Sequence, residues 1–198
     1  TCKSPYDGSF TPNQLSNLQY WFKADAITGL VNNDPLPALT DFSGNSRHFA
    51  AFGASSPNTQ GLYKTNQQNS LPGIAFTHDA NAATTTNTRY DSPSAFYSAY
   101  TEAEIFLVIK TTNDPQTSNL VGCWGKFGSD SATTHYNFNG DSSIYESFGG
   151  TARKNTGNAV APLNQFNNYN ISTKAGSFIT RINGTQHYST TTNTVGWN

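Results

Sequence analysis

The chain reads as an all-β protein, a β-sandwich of two antiparallel sheets, and three observations predict it. The stretch Glu104-Ile-Phe-Leu-Val-Ile-Lys110 sets five consecutive apolar residues between two charges and runs into a turn at Thr111-Thr-Asn-Asp-Pro115. So short a run reads as a strand covered on both faces, and hence as the central strand of a layered β structure. Ile182-Asn-Gly-Thr185 lies between two strand-like segments, and Asn-Gly readily supplies the two positive φ angles of a tight hairpin. No segment sustains a 3.6-residue apolar period, so helix is expected only as isolated turns.

Composition points the same way. Charged residues make up 12% of the chain, about half the usual share, and Thr (26), Asn (23) and Ser (20) take their place. These are mediocre helix formers; Thr favours strands, while Asn and Ser favour turns. The 198 residues suffice for one domain, placed at 10–198 behind an N-terminal arm at 1–9. A net charge of −1 gives no long-range field, which argues against nucleic acid and anionic membranes as partners. No apolar stretch approaches the length needed for membrane insertion. Cys2 and Cys123 are too few for a disulfide framework, and both a pair and two free thiols stay open. The chain starts at Thr1 and contains no Met, as a processed or excised piece of a longer protein would.

Taken in order, the elements are short. A helical turn near residue 12 leads to a strand expected over 18–24. Turns are expected at Asp34-Pro-Leu-Pro37 and Ser43-Gly-Asn-Ser46. Residues 50–69 read as loop with a weak strand at 61–64, and 73–77 as a short strand. The central strand 104–110 is expected to pair, through the turn that follows it, with 119–124. Segments 135–139 and 144–148 read as a hairpin around Asn139-Gly-Asp141. The last strands flank Asn183-Gly184. Asn170-Ile-Ser172 and Asn183-Gly-Thr185 match the glycosylation pattern, which chance alone produces in so Asn- and Thr-rich a chain.

Leu18-Gln-Tyr-Trp-Phe-Lys-Ala-Asp25, Asp41-Phe-Ser-Gly-Asn45, Gly73-Ile-Ala-Phe76 and the late Ile182-Asn-Gly-Thr185 occur in an order that resembles concanavalin A-like (laminin G-like) lectin and glucanase domains. The resemblance covers residues 10–189 and implies a jelly-roll sandwich. Such domains occur in bacterial surface proteins, polysaccharide-degrading enzymes and phage structural proteins, and the low charge is most similar to the phage examples. They usually continue beyond this hairpin, whereas here the chain stops at Val195-Gly-Trp-Asn198. The expectation is a sheet edge completed by a neighbouring chain or separate segment, because unpaired edges are a liability.

The chemistry-bearing residues favour recognition over catalysis. The laminarinase-type Glu-x-Asp-x-Glu strand is represented only by Glu102-Ala-Glu104, which lacks the third carboxylate. Glu146 is the remaining carboxylate weighed for a hydrolase or lyase. The four histidines, His48, His78, His135 and His187, have no zinc spacing. Calcium is an open alternative, because Asn32-Asn-Asp34, Asp79 with Asn81, Asn113-Asp114 and Asn139-Gly-Asp141 supply loop oxygens. The same residues also cluster in turns for backbone reasons. A sugar needs an aromatic face for its C–H groups and amides or carboxylates for its hydroxyls. The 135–148 hairpin brings such groups together as His135, Asn137, Asn139, Asp141, Tyr145 and Glu146, with Trp124 as a stacking candidate. Alternation puts His135, Asn137 and Asn139 on one face, and Tyr136 with Phe138 on the other. The expected function is a non-enzymatic, lectin-like module binding a glycan or polysaccharide at a virion or cell surface. The rivals are a structural decoration domain that binds protein only, and a polysaccharide hydrolase or lyase.

Overall fold

A computed structural model describes residues 11–52, 59–77, 88–93, 97–115, 123–125, 134–137 and 141–197. These residues form antiparallel β-strands and two 3₁₀ turns, Pro12–Gln14 and Ala24–Ala26, with no α-helix among them. The expected all-β class is therefore observed. The N-terminal arm, Cys2, His78, Asp79, Asn81, Phe138 and Asn139 lie outside the described residues, as does the side chain of Cys123. The chain divides into two compact units, Thr1–Ser94 and Ala95–Asn198.

The first unit contains β1 (Pro35–Leu36), β2 (Ala38–Leu39), β3 (Phe49–Ala51), β4 (Gly61–Gln68), β5 (Leu71–Ala75) and β6 (Tyr90–Asp91). They form two three-stranded sheets, ordered β1-β4-β5 and β2-β3-β6. The 61–64 signal is half of an eight-residue strand, whose hairpin to β5 turns at Asn69 and Ser70 with φ of 49° and 62°. That turn has no glycine, which is why its sequence reads as loop. The strand expected over 18–24 is absent. Its backbone is bound instead by the Asp41-Phe-Ser-Gly-Asn45 turn. Trp21 N–H donates to Asp41 Oδ1 (2.9 Å), Phe42 N–H to the Trp21 carbonyl (2.8 Å), and Asn45 Nδ2 to the Leu18 carbonyl (2.8 Å).

The second unit contains β7 (Glu102–Ile109), β8 (Cys123–Gly125), β9 (Thr134–His135), β10 (Ser143–Glu146), β11 (Lys154–Asn158), β12 (Asn167–Lys174), β13 (Ser177–Ile182) and β14 (Thr185–Thr190). Two four-stranded sheets result, ordered β11-β10-β9-β8 and β14-β13-β12-β7. Tyr136, Ile144 and Phe148 from the first meet Tyr169, Ile171, Phe178 and Ile182 from the second, with Leu163 and Trp197 in the same buried cluster. This is the face-to-face packing of a β-sandwich.

Two expectations about the apolar strand are corrected. β7 is not central but ends its sheet among the described residues, and it alternates: Ala103, Ile105, Leu107 and Ile109 pack on the core. Phe106 and Val108 point outward, 62% and 71% exposed. A run apolar at every position carries no period, so it cannot reveal which of its faces is left open. Its partner is not 119–124 either. β7 pairs along its length with β12, whereas β8 pairs with β9 in the opposite sheet. Of the two expected hairpins, β13 turns into β14 at Asn183 and Gly184 with φ of 52° and 80°. The other is met in part, since β9 pairs with β10 through His135 and Tyr145, but Tyr136 and Asn137 are not strand and residues 138–140 lie outside the described ones. Past β14 the chain returns to the core. Val195 bridges to Gly150, and the Trp197 ring meets Phe148 edge-on at 5.2 Å.

Candidate functional site: the outward face of the β14-β13-β12-β7 sheet

Residues 167–174 of β12 alternate in side, with Tyr169, Ile171 and Thr173 buried inward and Asn168, Asn170, Ser172 and Lys174 on the opposite face, where Asn170 is buried among its neighbours. Register then assembles that face row by row. Phe106 lies opposite Asn170, Asn170 opposite Arg181, and Arg181 opposite Gln186. Strands are spaced about 4.8 Å apart, so this row crosses roughly 14 Å of sheet. The neighbouring row carries Glu104, Ser172, Ile179 and Ser189.

Hydrogen bonds lock the polar members together. Asn170 Nδ2 donates to Glu104 Oε1 (2.9 Å) and to the Ile105 carbonyl (3.1 Å), while Asn170 Oδ1 accepts from Arg181 Nη1 (3.0 Å). A carboxylate, an amide and a guanidinium from three strands thus form one relay beside an exposed aromatic ring. A preset relay of this kind spares a ligand the entropy of ordering long side chains. The buried amide with its three hydrogen bonds also explains why Asn170-Ile-Ser172 is a packing element despite its glycosylation pattern. Asn183, in the other matching triplet, bonds Asn167 and Asn168 as part of its turn.

The described residues expected to form a sugar site in the 135–148 hairpin do not share one exposed face. Asn137 is fully enclosed and donates to the carbonyl of Asn113 (2.9 Å) and the hydroxyl of Thr111 (3.2 Å), tying down the loop after β7. His135 is buried, and Asp141 is exposed, with its Oδ1 accepting the Ser143 N–H at 3.0 Å. Tyr145 faces away from the core, half-buried, with its hydroxyl accepting from Asn155 (3.1 Å) and the Arg153 guanidinium 4.9 Å from its ring centre. Trp124 and Glu146 do come together, but inside the sandwich.

Glu146 has no exposed surface. Its Oε2 accepts from Trp124 Nε1 and from the Tyr169 hydroxyl, both at 3.1 Å, and its Oε1 accepts from the Ser147 and Phe148 N–H groups, both at 3.0 Å. Burial pushes its pKa up to about 7 despite these four donors. Enclosure also separates it from Glu102 and Glu104, which stand on the outward face of β7. Among the described loop residues weighed for calcium, Asp34 and Asp114 bind the protein itself. Asp34 Oδ2 accepts from Val31 N–H (2.8 Å), and Asp114 accepts from the Ser142 hydroxyl (2.5 Å) and the Leu163 N–H (2.7 Å). No group of three or more His, Cys, Asp or Glu poised for a metal occurs among the described residues.

Phe106, Asn170, Arg181 and Gln186 escape the sequence reading. Their signal is the alternation of 167–174, which calls for a solvated face on whichever strands flank it. No helix among the described residues is long and apolar enough to cross a membrane. No protein-family model, curated protein or solved structure matches the chain.

Proposed function

We propose that this chain is a non-enzymatic, lectin-like module that binds a glycan or polysaccharide on the outward face of the β14-β13-β12-β7 sheet. The observation that carries the reading is the row Phe106–Asn170–Arg181–Gln186, with Glu104 joined to it through Asn170. It sets an exposed ring, suited to the C–H face of a sugar, beside amide, guanidinium and carboxylate groups suited to its hydroxyls. The jelly-roll connectivity implied by the resemblance, and a setting on a virion or cell surface, belong to the same proposal. Calcium enters only as an accessory.

A glycan array tests it. Binding to a defined set of glycans is expected, with a loss of at least tenfold in affinity for Phe106→Ala and for Arg181→Ala, and little change for Tyr145→Ala. Array-wide silence of the folded protein would sink the reading. A second reading is favoured by Phe106 and Val108, apolar and exposed on a strand that ends its sheet among the described residues. A neighbouring chain adding a strand there would make this an assembly domain that binds protein. Silence on the array together with self-association lost in Phe106→Glu would select it.

A further inference from the structure

The Glu146 carboxyl bridges the two layers of the second unit, and its surroundings supply hydrogen bonds but little charge. It stands on β10, accepts from Trp124 of β8 in its own sheet, and reaches Tyr169 of β12 in the opposite sheet. Its cross-strand neighbour on β11, Lys154, directs its ammonium to the Ala152 carbonyl (3.1 Å) and over the Phe178 ring (4.5 Å). The titratable groups facing it from β12 and from the end of β9 are two tyrosines, Tyr169 and Tyr136, with rings 5.0 Å apart. A wholly enclosed carboxylate in such a place costs far more in its ionised form than in its neutral one.

We infer that Glu146 is a pH-sensitive latch between the two sheets, holding them together when neutral and loosening them when ionised. The neutral carboxyl keeps its backbone donors, and its bond to Tyr169 can run in either direction. The ionised form places a negative charge in the core and pushes the Tyr169 hydroxyl well above its usual range, through burial first and Glu146 second. A carboxyl raised from 4.5 to about 7 contributes stability that is complete below 4.5 and drains away as pH rises through 7. The folded-to-unfolded ratio then falls roughly 300-fold across that window. His187 works in the opposite direction, since burial lowers its pKa and its contribution is lost as pH falls. The comparison of wild type with a Glu146 variant separates the two.

Thermal unfolding of the whole chain between about pH 5 and pH 8.5 reads the latch. Wild type is expected to lose stability as pH rises through 7, while Glu146→Gln follows a flatter profile and becomes the more stable protein at the alkaline end. Equal slopes for the two proteins overturn the inference. Infrared spectroscopy of the unmodified protein decides the matter even if Glu146→Gln does not fold. A protonated-carboxyl band should persist at about pH 6, where ordinary carboxylates are ionised, and vanish by about pH 8. Its absence at the lower pH also overturns the inference.

Discussion

At the scale of the residue, two buried carboxylates with four donors each are driven in opposite directions. Glu146 is raised because nothing of it touches water. For Asp41 desolvation is again the largest single influence and pushes upward. Yet its hydrogen bonds from the Ser43, Trp21 and Arg47 N–H groups and the Ser43 hydroxyl outweigh that and hold its pKa below 3.8. Three of those donors are backbone groups, Ser43 and Arg47 at the turn and Trp21 on the segment it holds, so they are already aimed when the charge arrives. The consequence has a sign: the stability Asp41 adds is present above 3.8 and lost as pH falls through its lowered folded value. Asp41→Ala should therefore destabilise the first unit by roughly 2–4 kcal/mol at neutral pH, since several enclosed donors lose their acceptor together. Asp41→Asn should remove the acid-dependent part of that stability, as measured by denaturant unfolding at pH 7 and near pH 3. An unchanged midpoint for Asp41→Ala would count against the turn as the anchor of residues 18–23.

At the scale of the element, the Asn-Gly turn was legible, whereas the partner of the apolar strand, and the strand β1 where Asp34-Pro-Leu-Pro37 read as a turn, were not. Asn183-Gly184 announces its hairpin because the φ values that the turn demands are those Asn and Gly tolerate. The β4–β5 turn at Asn69 and Ser70 reaches similar angles with residues that announce nothing. Two glycines show how local and tertiary demands differ in size. At Gly184, φ is +80° and a Cβ would meet nothing within 4 Å, so Gly184→Ala should cost only the backbone strain, about 1 kcal/mol. At Gly149, φ is +61° and a Cβ would lie 2.2 Å from the Trp197 ring. Gly149→Ala should then cost about 3 kcal/mol or more, because the packed indole must move as well. Equal losses for the two variants in chemical denaturation would show that Trp197 does not hold the returning chain against Gly149.

At the scale of the whole molecule, the regular elements among the described residues are β-strands and two 3₁₀ turns, and every strand pairing is antiparallel. Far-UV circular dichroism should give a β-type spectrum with no helical double minimum, and sustained helix content would contradict the fold. The row of Phe106, Asn170, Arg181 and Gln186 is itself a product of this scale. Phe106 and Gln186 are 80 positions apart in sequence, and only the order β14-β13-β12-β7 places them in one row.

The sequence alone determined what depends on neighbouring residues: the all-β class, the Asn-Gly hairpin and the low net charge. Backbone preference and side-chain alternation act over a few residues, so a few residues suffice to reveal them. Tertiary structure decided which strand pairs with which, and therefore which side of an apolar run meets water. The run 105–109 is equally apolar in both directions, and β12 had to dock on β7 before Phe106 and Val108 became surface. It also decided the fate of Glu146. On paper that residue is one more polar group in a hairpin rich in them. In the fold, alternation along β10 turns it inward with Ile144, and the opposite sheet closes over it, so a sugar-binding candidate becomes a buried carboxyl whose charge the core resists.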